Sequence, residues 1–250
     1  RINPGNMTNR EGLASVISAA KANGAVIRIG ANGGSLGNHQ LASFEDRASA
    51  LVGAVEEQIR LLTGMDFQDI IISAKSSSVP ETVRANFMLS ARHPFPLHIG
   101  ITEAGGGMDG AVKSASGIAV LLAQGIGDSV RVSLTGDSVS EVGVAYTILR
   151  SLELRKKGAN MISCPGCGRR RVDVGALCER VKAMLPDDMP DGVTIAVMGC
   201  EVNGPKEAAS ADIGIAGTKN GFVLFKNGTA VASGEIGELE KIFPSFANEL

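Results

Sequence analysis

Three cysteines of this chain follow short apolar runs, which is the spacing expected where thiols converge at the ends of neighbouring strands. Cys164 and Cys167 form a Cys-Pro-Gly-Cys motif after the run 160–163, and Cys200 follows the run 193–198. Thiolates select zinc or iron–sulfur clusters, so the three residues predict a metal centre in the last third of the chain. The motif alone leaves both metals open, because a bare CxxC is also typical of a structural zinc half-site or a redox pair.

The fourth cysteine, Cys178, lies in a helical pattern outside the motif and is interpreted as a small buried hydrophobic residue. No cysteine precedes Cys164. Secreted domains that depend on disulfides are small and rich in cysteine, so this usage favours a reducing compartment and a cytoplasmic protein.

A second group of polar residues lies at the ends of apolar runs in the first part of the chain, where a ligand would lie in a parallel sheet. Arginine offers a forked pair of donors to an anion, lysine a point charge, and asparagine and serine neutral donors. The residues with this placement are Arg28, Asn32, Lys75, Thr102, Glu103, Arg131 and Ser133. His98 lies inside such a run without metal-ligand spacing and is interpreted as a histidine of the core or beside the site.

The elements that would position these residues alternate between strand and helix patterns up to about residue 155. Predicted strands cover 25–29, 69–74, 97–102 and 130–134, residues 1–3 are the tail of another, and helical patterns include 50–62 and 112–123. This alternation predicts an α/β fold with a parallel sheet. About five strands are visible, so an eight-stranded TIM-type β/α barrel would need three more before residue 1.

A smaller α+β unit is predicted after Lys156-Lys157-Gly158. Its elements are a strand at 160–163, a helix at 172–184, strands at 193–198 and 213–216, a hairpin of 221–225 and 229–232, and a final helix from Glu235. The domains expected are therefore 1–157 and 158–250.

Composition excludes several classes of protein. The 250 residues carry 24 Lys and Arg against 26 Asp and Glu, so a basic surplus for nucleic-acid binding is missing. With 44% hydrophobic residues and no run of 18 apolar residues, the chain is expected to bury a core and not to span a membrane. It begins at Arg1 without a leader pattern, and we expect it to be a piece of a longer protein.

The sequence resembles the 4-hydroxy-3-methylbut-2-en-1-yl diphosphate synthase family of the non-mevalonate isoprenoid pathway. The segment MGCEVNGPKEA at 198–208, together with the CPGC motif, carries the resemblance. Further matches in the family's order are RINPGN at 1–6, IRIGANGGSL at 27–36, LHIGITEAG at 97–105, GAVKSA at 110–115 and GIGDSVRVSL at 125–134.

The resemblance implies a 4Fe-4S cluster held by Cys164, Cys167, Cys200 and the carboxylate of Glu207. It implies the reductive opening of 2-C-methyl-D-erythritol 2,4-cyclodiphosphate, with two electrons from ferredoxin or flavodoxin. Redox-inert zinc could not supply this chemistry. The family's enzyme is a homodimer in which the cluster domain of one subunit caps the barrel of the other, and residues 156–158 would then be a hinge.

The resemblance also implies roles for the polar residues. Glu103 is the proton donor to the leaving hydroxyl, and Glu207 is a cluster ligand that can give way to substrate oxygen. The cyclic diphosphate is expected to be bound by Arg1, Asn3, Arg28, Asn32, Lys75, Thr102, Arg131, Ser133 and Asn203.

Two departures from the family pattern stand out. Position 206 is Lys where the family commonly has Gly, which concerns the conformation of the ligand loop. The amino-terminal strands of the barrel are missing, so we expect this piece to bind substrate poorly, to be inactive and to fold less stably alone.

Two alternatives compete with the reductase. One is a phosphate-binding barrel enzyme with a structural zinc site, and the other is an electron-carrier or scaffold module on a degenerate barrel. Glu207 speaks against zinc, which would prefer a fourth Cys or His. The polar strand ends speak against a degenerate barrel, which has no reason to retain them.

Overall fold

The structure is a computed structural model that describes residues 1–2, 10–186, 188–202, 206 and 208–250. The chain divides into two compact units, Arg1–Leu154 and Arg155–Leu250. Within the described ranges, no helix is both long enough and apolar enough to cross a bilayer.

The first unit alternates helices and parallel strands. Side chains of Asp46, Ser78 and Asp137 cap the amino-terminal ends of the helices that begin at Arg47, Val79 and Ser138. The elements are α1 (Arg10–Asn23), β1 (Ile27–Asn32), a 3₁₀ turn (Gly33–Ser35), α2 (Asn38–Ala42), α3 (Arg47–Thr63), β2 (Ile70–Lys75), α4 (Val79–Arg92), β3 (His98–Ile99), α5 (Gly107–Leu122), β4 (Ser129–Val130) and α6 (Ser138–Ser151).

The strands of this unit follow one another in a parallel series. β1 pairs with β2 over its whole length, and β3 pairs with β4. Isolated parallel bridges extend the series: Ile2 pairs with Ile29 of β1, and Leu97, just before β3, pairs with Ile72 of β2. The predicted α/β class and parallel pairing are confirmed, while the described strands form an open series and no closed barrel.

Side chains alternate across these strands, because successive residues of a strand point to opposite faces. One face is apolar and belongs to the core that α3 and α4 cover; it carries Ile27, Ile29, Ala31, Ile70, Ile72, Ala74, Leu97 and Ile99. The other face carries the polar residues at and near the carboxyl ends. The strands are therefore amphipathic, and the polar face is free for a ligand.

The second unit is a five-stranded mixed sheet with helices. It consists of β5 (Asn160–Ser163), α7 (Val174–Ala183), β6 (Thr194–Met198), β7 (Ile213–Thr218), β8 (Gly221–Lys226), β9 (Thr229–Gly234), a 3₁₀ turn (Ile236–Glu238) and α8 (Leu239–Ala247). The strand order follows the chain, with β5, β6 and β7 parallel and β8 and β9 added antiparallel.

Helices α7 and α8 of the second unit pack on the same apolar cluster. Leu177 and Val181 of α7 and Phe243 of α8 join the buried residues of the central strands. Arg180 of α7 fixes the helix pair by donating from Nε to Glu240 Oε1 at 2.7 Å and from Nη2 to Oε2 at 2.8 Å. The cysteine segments follow β5 and β6 and lie at the carboxyl ends of these two strands.

Candidate functional site

A cationic cavity of about 60 Å³ lies at the carboxyl ends of the strands of the first unit. Its lining residues are Arg1, Arg28, Asn32, Ser73, Lys75, His98, Thr102, Arg131 and Ser133. The structure thus brings together seven of the residues that the sequence singled out for substrate binding. No Asp or Glu of the described residues lines the cavity.

Strand register explains why these side chains converge. Gly30 lies opposite Ser73, and Asn32 lies opposite Lys75. Across the next pair, His98 lies opposite Ser129, and the hydroxyl of Ser73 donates to the carbonyl of His98 at 2.8 Å. Because the register is fixed along both pairs, one face presents polar groups at successive levels.

Arg1 reaches the cavity because Gly30 has no side chain. The Ile2 N–H donates to the Arg28 carbonyl at 2.8 Å, and the Gly30 N–H donates to the Ile2 carbonyl at 2.9 Å. A Cβ on Gly30 would lie 3.1 Å from Arg1 Nε. A larger residue at position 30 would therefore push this arginine out of place.

Gly100 similarly leaves space for Lys75, because it has no side chain. A Cβ at Gly100 would lie 2.2 Å from the carbonyl oxygen of Arg131 and 3.3 Å from Lys75 Nζ. The Arg131 N–H donates to the Ile99 carbonyl at 2.9 Å, which holds the two segments together. Only glycine fits between them, so the lysine and the arginine approach each other across the strand.

The concentration of positive charge changes the protonation of the buried lysine. Lys75 is only 9% exposed. Burial, followed by the charges of Arg28, Arg131 and Arg1, lowers its pKa from 10.5 to about 7. Burial and the neighbouring charges of Arg1 and Arg131 also lower the pKa of Arg28. The described lining residues therefore form a cationic site that favours an anionic ligand.

His98 lines the same cavity as a neutral imidazole. It is 8% exposed, and burial, then the charges of Lys75 and the three arginines, lower its pKa to about 3. Nδ1 lies 2.9 Å from the Ser129 hydroxyl, whereas the buried Nε2 has no hydrogen-bond partner within the described part of the chain. Buried polar atoms are normally paired, so Nε2 is available to a ligand atom.

Replacing Lys75 with methionine should stabilise the first unit against unfolding in a pH-dependent way. Below pH 7 the lysine is charged in both states and its burial destabilises the fold. Between pH 7 and 10.5 the unfolded chain binds the extra proton, so wild-type stability rises with pH. We expect a gain of about 2 kcal/mol below pH 7 that fades towards pH 10.5.

Thermal unfolding of the Lys75→Met variant at pH 6 and pH 10 measures this gain. Lys21→Met is the control, because Lys21 is 45% exposed and pairs with Asp66 at the surface. An equal gain at both pH values, or a loss at pH 6, would show that Lys75 is not a strained cation.

Glu103 lies just beyond this cavity and has an unusual backbone. Its φ is +53°, in the left-handed region that non-glycine residues rarely adopt. A Cβ on Gly34 would lie 3.9 Å from Glu103 Oε1, so the carboxylate faces the loop that follows β1. Backbone strain of this kind is concentrated at functional sites, where the surrounding structure maintains it.

The cysteine segments of the second unit meet at the ends of two neighbouring parallel strands. Cys164 follows β5, Cys200 follows β6 after one residue, and the Gly199 N–H donates to Cys164 Sγ at 3.2 Å. The Arg170 N–H donates to the Cys167 carbonyl at 3.0 Å, and the Arg171 N–H donates to the Gly199 carbonyl at 2.7 Å. The two segments are therefore bonded to each other.

The three thiols differ in their surroundings. Cys200 is 6% exposed, Cys164 is half-buried and Cys167 is exposed. The backbone N–H of Arg169, helped by its side chain, lowers the pKa of the Cys167 thiol. Within the described ranges, no three ligand side chains are close enough together to hold one metal ion.

The donor set nevertheless suits a cluster. Three thiols lie in two segments tied to one sheet edge, and an amide already donates to a cysteine sulfur, as amides do around iron–sulfur clusters. A cavity of about 240 Å³ opens beside Cys164, with Arg170, Asp173 and Cys178 in its lining. The residues present therefore fit a thiolate-bound group.

Three residues singled out in the sequence lie outside the described residues: Asn3, Asn203 and Glu207. Lys206, the departure from the family pattern, is helical and exposed.

Sequence reasoning missed Ser73 as a cavity residue and interpreted His98 as a histidine of the core or beside the site, whereas it lines the cavity itself. The signal was the period of two: residues 28, 30 and 32 of β1 and 73 and 75 of β2 are polar or glycine, and the residues between them are apolar. This alternation places the side chains of residues 28, 30, 32, 73 and 75 on one face of the paired strands.

Fold and site together define a two-unit α/β protein with an anion-type pocket at parallel strand ends and a cysteine-bearing sheet edge. The chain matches the model of the GcpE TIM-barrel domain over residues 1–146 and that of the GcpE protein C-terminal domain over residues 160–249. It belongs to the GcpE family.

Curated relatives share close to half of its residues. The 4-hydroxy-3-methylbut-2-en-1-yl diphosphate synthase (flavodoxin) of Nitratidesulfovibrio vulgaris is 46% identical over 251 residues, which cover all of this chain and 64% of the relative. The protein of the same name from Geobacter sulfurreducens is 45% identical over 97% of this chain and 71% of its own length. The chain thus spans about two thirds of the length of these relatives.

Proposed function

We propose that this chain contains the substrate pocket and the cluster-binding unit of a 4-hydroxy-3-methylbut-2-en-1-yl diphosphate synthase that uses flavodoxin. The substrate would be 2-C-methyl-D-erythritol 2,4-cyclodiphosphate, and the product the linear diphosphate. The observation that carries the proposal is a cavity with four cationic side chains and no carboxylate among the described residues. The names of the relatives support the same reaction.

The cavity residues would bind the diphosphate. Arg28 lies in β1 and Arg131 directly follows β4, and each can present a guanidinium fork to phosphate oxygens. Arg1 and Lys75 add charge, and the amide or hydroxyl groups of Asn32, Thr102 and Ser133 can donate to the remaining oxygens. Asn3 and Asn203 are proposed to add amides to the same ligand.

The second unit would hold the cluster through Cys164, Cys167, Cys200 and Glu207. When bound, a 4Fe-4S cluster passes electrons singly from the carrier to the substrate. The thiols lie on segments that are held by hydrogen bonds from the backbone N–H groups of Gly199, Arg170 and Arg171. A carboxylate is a harder ligand than a thiolate and exchanges more readily, which is the proposed role of Glu207.

Glu103 is proposed to give a proton to the leaving hydroxyl. The overall conversion takes up two electrons and two protons, breaks one carbon–oxygen bond to phosphate and releases the hydroxyl as water. The carboxyl is at the carboxyl end of the strand series, and a side-chain acid there can be preorganised by its backbone. Lys75 and the arginines hold the diphosphate while its ring opens.

The proposal extends to organisation. Residues 1–157 would be the last five strands of a TIM-type barrel, and residues 158–250 the iron–sulfur domain. We propose a cytoplasmic homodimer, since free thiols and a cluster need a reducing environment. Light scattering of the full-length protein would test the dimer.

Turnover tests the proposed function directly. The full-length protein, reconstituted without oxygen, is supplied with 2-C-methyl-D-erythritol 2,4-cyclodiphosphate and reduced flavodoxin. We expect the linear 4-hydroxy-3-methylbut-2-enyl diphosphate, with two reduced carriers consumed per product if each gives one electron. Iron-loaded protein that consumes no substrate, with flavodoxin or with a chemical reductant, would contradict the proposal.

A further inference from the structure

Lys75 is a cation held among cations. Its side chain is 9% exposed, and within the described residues its ammonium has no hydrogen-bond or ion-pair partner. The charged groups around it are Arg28 of β1, Arg131 beyond β4 and Arg1. His98 of β3 is the other titratable group of the cavity.

Among the residues that the structure describes, no carboxylate lines the cavity to balance this charge. On α4, which packs against β2, Glu81 accepts from the Ser76 hydroxyl at 2.6 Å and pairs with Arg47 at 3.3 Å. Glu103 lies beyond the lining. Within the described part of the chain no carboxylate lines the cavity, so a bound anionic ligand would neutralise its charge.

Two kinds of cation respond differently to this crowding. An arginine guanidinium keeps its proton in proteins, whereas a buried lysine releases its proton when the charged form is destabilised. The pKa of Lys75 is lowered to about 7, while that of His98 is lowered to about 3 and leaves the imidazole neutral. Without a ligand, the repulsion among the cations of the cavity can thus be reduced at one atom, by loss of a proton from Lys75 Nζ.

We propose that anion entry into this cavity is coupled to the uptake of one proton from solvent by Lys75 Nζ, so that the ligand meets four full cations. The inference rests on the proposed binding of a cyclic diphosphate at this site and adds the protonation change to it. The step forms one N–H bond and changes no bond of the ligand. Two negative charges brought beside the amine restore the preference for the ammonium form.

The chemistry of the substrate makes this uptake measurable. Each phosphorus of a cyclic diphosphate carries one strongly acidic hydroxyl, so the ligand itself exchanges no proton near neutral pH. Calorimetry of 2-C-methyl-D-erythritol 2,4-cyclodiphosphate binding to the full-length protein, without an electron donor, is repeated in buffers of different ionisation enthalpy. The dependence of the heat on the buffer gives the number of protons bound.

The expected numbers follow from half-protonation near pH 7 in the empty site. Wild type should take up about 0.5 proton at pH 7 and about 0.9 at pH 8. Affinity should fall as pH rises above 7, by up to about tenfold per pH unit, because the ligand prefers the protonated site.

Two variants identify the group. Lys75→Arg keeps the charge and removes the titration, so uptake should vanish and binding should become independent of pH between 6.5 and 8.5. His93→Gln changes a histidine that pairs with Glu56 outside the cavity lining and should leave uptake unchanged. Uptake that persists in Lys75→Arg, or that disappears in His93→Gln, would overturn the inference.

The failure of this inference and the failure of the proposed function give different results. Wild-type binding without proton uptake would overturn the inference and leave the diphosphate site in place, and a wild type that does not bind would overturn both. Methyl-carbon NMR of reductively methylated Lys75 tests the same claim without the arginine variant. Its midpoint should rise from near 7 in the free protein to above 9 with ligand, and a midpoint above 9 without ligand would contradict it.

Discussion

Replacing Cys164 with alanine is expected to leave the full-length protein without a stable cluster and without reductase turnover. Cys164 Sγ already accepts the Gly199 N–H at 3.2 Å, at the junction of the two cysteine segments. Removing this ligand leaves two thiols, and open or missing coordination sites release iron. After anaerobic reconstitution we expect under one iron per chain, against about four in wild type.

Cys178→Ala is the matched control for this loss. Cys178 is a half-buried cysteine of α7 in the same unit, and it lines the same 240 Å³ cavity as Cys164. A ligand role for Cys164 alone predicts that Cys178→Ala keeps the full iron content and turnover. Equal iron loss in both variants would show that altered packing around the cavity, and not the loss of a ligand, releases the iron. Full iron content in Cys164→Ala would disprove the ligand assignment.

Replacing Glu103 with glutamine should reduce turnover by about 10²- to 10⁴-fold while the cluster and diphosphate affinity stay intact. Glutamine has nearly the same shape and cannot donate a carboxyl proton. The remaining polar groups of the cavity still bind the ligand. Turnover with reduced flavodoxin, the visible spectrum and calorimetric affinity separate these effects.

Two further variants separate the carboxyl from the backbone at Glu103. Glu103→Gly suits the left-handed φ of +53° and should raise stability slightly while abolishing turnover. Glu153→Gln is the matched control for Glu103→Gln. Glu153 is an exposed glutamate just after α6, and its φ of +57° is left-handed as well. Wild-type turnover in Glu103→Gln, or loss of the cluster, would mean that this glutamate has another role.

The cationic cavity was largely predictable, because parallel strands bring their carboxyl ends to one edge. Arg28, Lys75 and Arg131 are far apart in sequence, and each was marked only by its place after an apolar run. The strand register then places such residues beside each other, with Asn32 of β1 opposite Lys75 of β2. The loss of charge from Lys75 was not predictable, since it depends on how closely four cations are packed.

Element types were easier to predict than their ends. The hairpin of β8 and β9 follows from its turn chemistry: Asn227 and Gly228 have φ values of +48° and +79°, the conformation that favours these two residues. By contrast, β3 covers only His98–Ile99 of the predicted 97–102. Beyond Ile99 the chain turns toward the cavity, where Thr102 donates its N–H to the Ser76 carbonyl at 3.3 Å and leaves the ladder.

The cysteine site was predicted in part for a different reason. Strand-end placement of Cys164 and Cys200 is a property of local sequence, and the structure shows them just beyond the ends of two neighbouring parallel strands. The ligand set is a property of coordination chemistry. Cys167 lies on an exposed turn that strand periodicity does not describe, and the carboxylate assigned from the resemblance lies outside the described residues.

Anaerobic reconstitution of the full-length protein with iron and sulfide, followed by metal analysis and the visible spectrum, decides whether the second unit holds an iron–sulfur cluster. We expect about four irons and four sulfides per chain, with a broad charge-transfer band that reductant bleaches. A colourless protein with one zinc per chain would contradict it, because zinc cannot carry the electrons that the ring opening needs.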